Sequence, residues 1–154
     1  MWPWVVAGLT VGADQWTKWL LRSSYVPGES HPALGPFLSI TYVQNTGAAF
    51  GVLKGQHGLF VVLSIGVIGW MAWELMTRSS LHAASLWGCA LVLGGALGNL
   101  IDRLRFGYVV DFIDVRVWPV FNIGDSTITI GVSLLVLHTL LTARRQETGD
   151  GRQE

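Results

Sequence analysis

Residues 81–101 read LHAASLWGCALVLGGALGNLI, a run that contains no Asp, Glu, Lys or Arg. A helix of ~20 mostly apolar residues crosses the hydrocarbon core of a bilayer, because each residue adds about 1.5 Å to its length. A soluble helix of this length would carry a polar stripe along one side, and this run has none. The run therefore predicts a transmembrane helix.

Three further runs of similar character lie on either side of it, and they contain few charged residues. Trp2–Leu21 includes Asp14 and Lys18; because no Lys or Arg precedes its apolar stretch, we do not expect a cleaved signal peptide. We predict an all-α membrane protein in which residues 1–154 form a single domain, a bundle of four transmembrane helices. The predicted spans are 2–21, 58–76, 81–101 and 123–142.

The composition supports a membrane protein and excludes several other classes. Of the 154 residues, 51% are hydrophobic and 13% are charged, where a soluble domain has about 25% charged residues. The 10 Lys and Arg balance the 10 Asp and Glu, so the basic excess of a nucleic-acid-binding protein is missing. Cys89 has no second cysteine to pair with, and the four histidines have no metal-ligand spacing. We therefore expect no metal and no cofactor.

The orientation of the bundle does not follow from counting positive charges. The side that holds both termini has four, namely Arg78, Arg144, Arg145 and Arg152, whereas the opposite loops have five, namely Arg22, Lys54, Arg103, Arg105 and Arg116. The second set is spread over longer loops and mixed with acids. We therefore expect both termini to lie in the cytoplasm.

The two long loops on the outer side contain candidate strands. Phe37–Gln44 and Tyr108–Trp118 are rich in β-branched and aromatic residues, which favour strands. A turn at Asn45–Gly47 would lead into a return strand over Ala48–Leu53. We predict a small extracytoplasmic β-sheet that caps the bundle.

Acidic residues gather toward the same outer end. A carboxylate at the centre of a span costs ~2.5–3.5 kcal/mol on insertion, so acids within spans are functional candidates. With the topology above, five acids lie in or beside the outer half: Asp14, Asp102, Asp111, Asp114 and Asp125.

Some of these acids also have a structural explanation. Asp14 precedes Lys18 by four residues, the favourable order for a helical ion pair, and we expect Lys18 to snorkel outward. The alternative is that the pair positions the end of the bundle where the chemistry takes place. Asn99, Asp102 and Arg103 would form a polar scaffold at the end of the third helix.

Glycines at four-residue spacing predict where helices approach each other closely. Gly94 with Gly98 forms one such pair in the third run, and Gly8 with Gly12 forms another in the first. We expect each pair to contact a neighbouring helix.

Asp111 and Asp125 flank one short outer segment and are the strongest candidates for chemistry. Asp111 shares the apolar face of its strand, whereas Asp114 points the other way and has Arg116 as a partner. Asp125 follows Asn122 by three residues, so that Asn122 would cap a helix and Asp125 would complement its dipole. Two close carboxyls share a proton, and such a pair can activate water and polarise a peptide carbonyl.

Short motifs along the chain resemble those of the signal peptidase II family, the lipoprotein signal peptidases. In chain order they are DQWTK (14–18), NTGAAFG (45–51), GGALGNLIDR (94–103), VVDF (109–112) and FNIGDS (121–126). Together they extend over nearly the whole chain. Only Gly124, where the family more often has Ala, departs from the pattern.

The resemblance implies an aspartic endopeptidase of the bacterial inner membrane with an active site near the outer face and no cofactor. Asp111 and Asp125 would be the catalytic pair. Our own hypothesis for their roles is that Asp125, at a positive helix end, is the base and that Asp111, on its apolar face, is the acid, with roles that can exchange. The partners would be membrane lipid, globomycin-type inhibitors and prolipoproteins, which would be cut on the amino side of a diacylglyceryl-modified cysteine. Supporting or substrate-binding positions would be Asp14, Lys18, Asn45, Gly47, Asn99, Asp102, Arg103 and Asn122.

Two hypotheses about function remain open beside this one. A small proton-coupled transporter could use the same acids, but it would more often place them near the membrane midplane. A membrane chaperone or assembly subunit would not need two acids beside one site. For the peptidase, we also expect Asn45–Gly51 to clamp over the substrate.

Overall fold

The computed structural model describes residues 1–47, 55–77 and 82–150, with the side chains of the last helix described as far as Arg144. Four helices and a small sheet make up the fold. The third helix continues beyond its predicted end at Ile101, so Asp102 and Arg103 lie inside it. The elements are α1 (Trp2–Ser24), β1 (Ser30–Leu34), β2 (Leu38–Asn45), α2 (His57–Thr77), α3 (Ala83–Phe106), β3 (Val109–Asp114) and α4 (Ile123–Asp150).

Helix α3 is the centre of the bundle and packs against each of the other three helices. In its most apolar stretch 67% of the residues are buried, against 6% in α2 and 6% in α4. The helix ends at Phe106 and is capped by Gly107, whose φ of 79° is left-handed and therefore suits glycine. The chain turns there into β3, which brings the strand back over the end of α3.

Glycines allow the helices to approach α3, but only one of the two predicted pairs does so. A Cβ on Gly94 would lie 2.6 Å from Thr10 Cβ, and a Cβ on Gly98 would collide with the Asp14 carboxylate. The close approach of α1 at Gly94 and Gly98 is thus confirmed. The prediction for Gly8 and Gly12 is wrong, because both face open space on the other side of α1.

Within the described residues, three helices are long and apolar enough to span a membrane: His57–Thr77, Ala83–Phe106 and Ile123–Arg144. Helix α1, predicted as the fourth span, is long enough at 23 residues. It is not among these three, and its inward face carries Asp14 and Lys18. The membrane character is therefore clear, whereas the count of four spans is not confirmed by composition.

The sheet has the order β1-β2-β3 and is antiparallel. Strand β3 forms within its predicted stretch, and β2 follows its predicted stretch but extends one residue further, to Asn45. Their register pairs Val43 with Asp111 and Asn45 with Val109. Strand β1 was not predicted, because its sequence SHPAL contains proline, which is unfavourable in a strand. In the structure the strand is exposed along its whole length. The return strand predicted over Ala48–Leu53, and most of the expected clamp, lie outside the described residues.

A second small core joins the sheet to the bundle. Tyr42 of β2 and Val110 and Phe112 of β3 are buried, and Leu21 of α1 and Ile123 of α4 pack against them. This core fixes β3 relative to the helix ends. Asp111, which lies between Val110 and Phe112, is thereby held at the junction of sheet and bundle.

Candidate active site

The polar residues selected from the sequence converge where α1, α3, β3 and the start of α4 meet. Asp14, Lys18, Asp102 and Asn122 have no exposed surface, and Asp111 is 1% exposed. Charged groups are rarely buried this deeply unless they are paired. The pairing of these residues therefore determines the geometry of the site.

Lys18 is the hub of the cluster. Its Nζ lies 2.8 Å from Asp14 Oδ2, 3.1 Å from Asp102 Oδ2 and 2.8 Å from Asn99 Oδ1. An ammonium group has three N–H donors, and each of these acceptors can take one. The predicted ion pair with Asp14 is confirmed, but the outward snorkelling is wrong, because the side chain points into the bundle.

Asp14 and Asp102 each hold a backbone N–H group beside one member of the proposed catalytic pair. Asp14 Oδ1 accepts from the Gly124 amide at 2.8 Å. Asp102 Oδ2 accepts from the Val110 amide at 3.0 Å. These two amides belong to the residues immediately before Asp125 and Asp111. Through Lys18, the two carboxylates thus connect the backbone on both sides of the site.

Asn122 joins the two proposed catalytic carboxyls directly. Its Nδ2 donates to Asp111 Oδ1 at 2.7 Å, and its backbone N–H donates to Asp125 Oδ2 at 3.3 Å. In return, the Asp125 amide donates to Asn122 Oδ1 at 2.8 Å, which completes a reciprocal cap on α4. The predicted capping by Asn122 is present, and the same side chain also reaches Asp111.

Each carboxyl has a second amide donor. Asn45 Nδ2 donates to Asp111 Oδ2 at 2.8 Å, and Asn99 Nδ2 donates to Asp125 Oδ1 at 2.8 Å. The orientation of the Asn99 amide follows from Lys18, which can only donate and so requires the amide oxygen to face it. The amide nitrogen must then face Asp125.

The environment of Asp111 favours its protonated form. Burial and, second, the charge of Asp125 raise the pKa of Asp111 to about 7 from an ordinary value of 3.8. Hydrogen bonds from Asn45 and Asn122 oppose this rise in pKa because they stabilise the ionised form. Asp111 can therefore carry a proton near neutral pH.

Asp111 and Asp125 line one cavity of about 290 Å³. The segment Trp118–Phe121 forms one wall, and Arg103 and Gly47 contribute to the lining. Arg103 Nη1 donates to the backbone oxygen of Asn99 at 3.4 Å. The ten residues predicted for the site are thus all found in or directly behind this cavity. Within the described ranges, no group of three or more His, Cys, Asp or Glu side chains could hold a metal ion.

Asp114 lies apart from this arrangement, as its predicted direction implied. Its carboxyl accepts from Thr41 Oγ1 at 2.8 Å and from the Arg116 amide at 2.9 Å, and the Arg116 guanidinium lies 3.6 Å away. The hydrogen bond from the Arg116 amide is the main reason that the pKa of Asp114 is lowered. The environment of Asp114 therefore favours the ionised carboxylate, whereas that of Asp111 favours the protonated form.

Two residues of the cluster were not selected from the sequence. Gln15 Nε2 donates to Asp102 Oδ1 at 3.0 Å, and Arg22 Nη1 lies 3.8 Å from the same oxygen. Arg22 was assigned to the outer loops, yet it follows Lys18 by four residues. That spacing places it on the same face of α1 and could have identified it.

The family profile and the individual relatives that match this chain point to the same protein family. The sequence profile of a family described as signal peptidase (SPase) II matches residues 6–141. A lipoprotein signal peptidase from Moorella thermoacetica is 46% identical over 145 residues, which is 92% of this chain and 95% of that protein. One from Halothermothrix orenii is 45% identical over 136 residues, 88% of this chain and 92% of that protein.

Solved structures of bacterial membrane enzymes have the same fold. One superposes with a TM-score of 0.85 at 32% identity and covers 97% of this chain and 91% of its own. Another superposes with a TM-score of 0.80 at 35% identity and covers 88% and 90%. The likeness extends over the bundle and the sheet together.

Proposed function

This chain belongs to the signal peptidase II family and removes the signal peptide from prolipoproteins, and we propose that it does so as an aspartic peptidase with Asp111 and Asp125 as its catalytic pair. The main support is the Asn122 side chain and amide, which hydrogen-bond to both carboxyls at the edge of one cavity. The relatives lend no support to the transporter hypothesis.

Asp125 is the general base in this proposal. Both of its oxygens accept hydrogen bonds from N–H groups, and it lies in the first turn of α4, where the helix dipole favours negative charge. Asp111 is the general acid, since its raised pKa keeps a proton available. The proton belongs to the pair as a whole, so the roles reverse later in the cycle.

The hydrolysis then proceeds in two steps, addition of water and collapse of the intermediate, each with two proton transfers. Asp125 takes a proton from a water molecule while the water oxygen bonds to the carbonyl carbon, and Asp111 donates its proton to the carbonyl oxygen. When this intermediate collapses, the proton held by Asp125 passes to the departing nitrogen and the carbon–nitrogen bond breaks. The hydroxyl proton returns to Asp111, which restores the starting state.

Replacing each carboxyl by its amide tests the pair. We expect Asp111→Asn and Asp125→Asn each to lower kcat by at least about 10²-fold, the usual contribution of a positioned acid or base. Asp114→Asn is the matched control, because its carboxyl lies in the same strand as Asp111 but outside the cavity. Near-normal turnover in either of the first two variants would exclude the pair. Equal losses at Asp111 and Asp114 would contradict the argument that only Asp111 faces the site.

The substrate is proposed to be cut on the amino side of a diacylglyceryl-modified cysteine, as the resemblance implies. A synthetic precursor with and without the diacylglyceryl group tests this directly. We expect cleavage of the modified peptide only, with a lipidated cysteine as the new amino terminus by mass spectrometry. A globomycin-type inhibitor should compete with this substrate. Equal cleavage of the unmodified peptide would contradict the proposal.

We also propose that α1 is a fourth span. Its large apolar side chains, including Leu9, Trp16 and Trp19, are exposed, whereas Asp14 and Lys18 point inward and are fully buried. Its outer surface is therefore suited to lipid, and its lower hydropathy arises from the face that contacts α3. In this arrangement the protein lies in the bacterial inner membrane with both termini in the cytoplasm and the active site near the outer face.

A further inference from the structure

A cleft runs between α2 and α4 along the bundle. Both helices pack against α3, and within their described lengths they hardly contact each other. Toward the end of the bundle opposite the proposed catalytic cavity, the cleft widens into a cavity of about 530 Å³. Ser85, Cys89 and Val92 of α3 line this end cavity between the two helices.

One face of α4 connects the two cavities. The α4 residues that line the catalytic cavity are Asp125, Ile128 and Thr129. Those that line the end cavity are Val132, Leu135, Val136 and Thr139. Steps of three and four residues place all of them on the same side of the helix. The cleft therefore continues along α4 from the catalytic carboxyl to the end cavity.

The lining of the end cavity changes from apolar to polar with distance from the catalytic carboxyls. Val67 and Met71 of α2 line the nearer part, and Glu74 of the same helix lines the far part. The Glu74 carboxyl accepts a hydrogen bond from Trp70 Nε1 at 3.3 Å. A ligand that fits this cleft is thus apolar along its length and positively charged at its far end.

We propose that Glu74 binds the positively charged residue that precedes the apolar segment of the substrate's signal peptide, an inference that rests on the proposed function. A signal peptide carries Lys or Arg, then ~7–15 apolar residues, and then the cleavage site. When the bond to be cut lies between Asp111 and Asp125, an apolar segment in the cleft places the preceding cation at the far end. The Glu74 carboxylate has the opposite charge, and the Trp70 ring beside it also attracts cations.

The length of the cleft agrees with this assignment. Thr139 follows Asp125 by 14 residues, which corresponds to about 21 Å of helix. A substrate covers this distance with roughly 9–14 residues, and the smaller number applies if about four residues next to the cut are extended. Both numbers fit the apolar segment of a signal peptide together with its cleavage site.

Two diacylglyceryl-modified precursors that differ only before the apolar segment test this role, one with two lysines there and the other with two glutamates. In an uncharged detergent, we expect wild type to prefer the lysine precursor about fivefold in kcat/KM, the upper end for a partly exposed ion pair. The difference should lie in KM, because the cation binds far from the reacting bond. Glu74→Gln should abolish the preference, and Glu74→Lys should reverse it. The matched control Glu29→Gln removes an acid beside β1 and should keep the wild-type preference.

The outcomes separate the role of Glu74 from the proposed function. If wild type cleaves both precursors equally well, or if Glu74→Gln keeps the wild-type preference, the role of Glu74 is wrong and the peptidase stands. If wild type cleaves neither precursor, the proposed function itself fails.

A second measurement does not depend on the folding of a variant. A precursor with a reduced scissile bond and a benzophenone beside its lysines is photolysed on wild-type protein. Labelling at residues 70–74 or 135–139 supports the proposal, and labelling confined to α1 overturns it.

Discussion

The ammonium group of Lys18 contacts two carboxylates, and those carboxylates hold the backbone on either side of the cavity that Asp111 and Asp125 line, the proposed catalytic cavity. Asp14 anchors the Gly124 amide and Asp102 anchors the Val110 amide. Because the Lys18 ammonium group must contact both carboxylates, it limits the distance between them. It thereby also limits the distance between the start of α4 and β3. Lys18 acts on the site by position, without lining the cavity itself.

Lys18→Met tests this role. Removal of the cation leaves the carboxylates of Asp14 and Asp102 buried and without their main partner, which should destabilise the protein by about 3–5 kcal/mol. We expect a clear drop in Tm in detergent, together with reduced kcat. Arg116→Met, which removes an exposed cation paired with Asp114, should change Tm little. If both variants have the wild-type Tm, the Lys18 cluster is not a structural hub.

The pKa of Asp111 predicts the alkaline side of the activity profile. Because Asp111 must hold a proton to act as the acid, kcat/KM should fall as the pH rises through about 7. Asn45 lowers this pKa by donating to the ionised carboxyl. Asn45→Ala should therefore shift the alkaline limb to higher pH, as measured by the pH dependence of kcat/KM.

The control for this profile is Asp114→Asn. Its carboxyl has a lowered pKa and lies outside the catalytic cavity, so the alkaline limb should stay where it is in wild type. A shift to lower pH in Asn45→Ala would mean that Asn45 does not stabilise the ionised Asp111, and would contradict the assignment of the acid.

At the scale of helices and strands, the sequence predicts well which elements form. It predicts less well which faces of those elements contact each other. The spacing of Asn122 and Asp125 was enough to predict the cap of α4, because a cap depends only on nearby residues. The direction of Lys18 was not predictable in this way, since it depends on acceptors that α3 supplies. Strand β1 has no hydrophobic pattern of its own and forms by pairing with β2.

The glycines of α3 and α1 illustrate the same limit. Both pairs have the same spacing, yet only Gly94 and Gly98 lie at a helix contact, while Gly8 and Gly12 have nothing within 4 Å of an added Cβ. A spacing pattern identifies a face that permits close approach. Which face of a helix makes the contact depends also on its charged residues. In α1, the face with Asp14 and Lys18 turns toward α3, because these side chains find their partners there.

Gly95→Ala tests the close contact between α3 and α4. An added Cβ at Gly95 would collide with the backbone oxygen of Gly124 and approach Ile128 Cγ1 to 2.9 Å. Because the oxygen belongs to the backbone, α4 must shift, and overpacking of this kind costs roughly 1–3 kcal/mol. The shift moves Asp125, so we expect losses in both Tm and kcat.

Gly12→Ala is the control, since its added Cβ meets nothing within 4 Å and alanine favours a helix over glycine. Its Tm and kcat should equal or exceed the wild-type values. A Gly95→Ala variant with unchanged kcat would show that the start of α4 tolerates displacement, and that the site does not depend on this helix contact.

For the whole molecule, the arrangement of polarity is the reverse of that in a soluble protein. Buried charges form the cluster around Lys18, and large apolar side chains such as Trp16 and Trp19 of α1 or Trp70 and Trp73 of α2 are exposed. An apolar surface of this kind is stable when lipid covers it. Of the ten acids of the chain, four lie in the site, namely Asp14, Asp102, Asp111 and Asp125.

The topology that follows from this arrangement is testable as a whole. If α1 spans the membrane together with α2, α3 and α4, epitope tags at the two termini must lie on the same side. In spheroplasts, both tags should resist added protease until the membrane is permeabilised. A cysteine at Ser30, in a Cys89→Ala background, should react with an impermeant maleimide without permeabilisation. If α1 lay on the surface, three spans would separate the termini, and protease would remove one tag from intact spheroplasts.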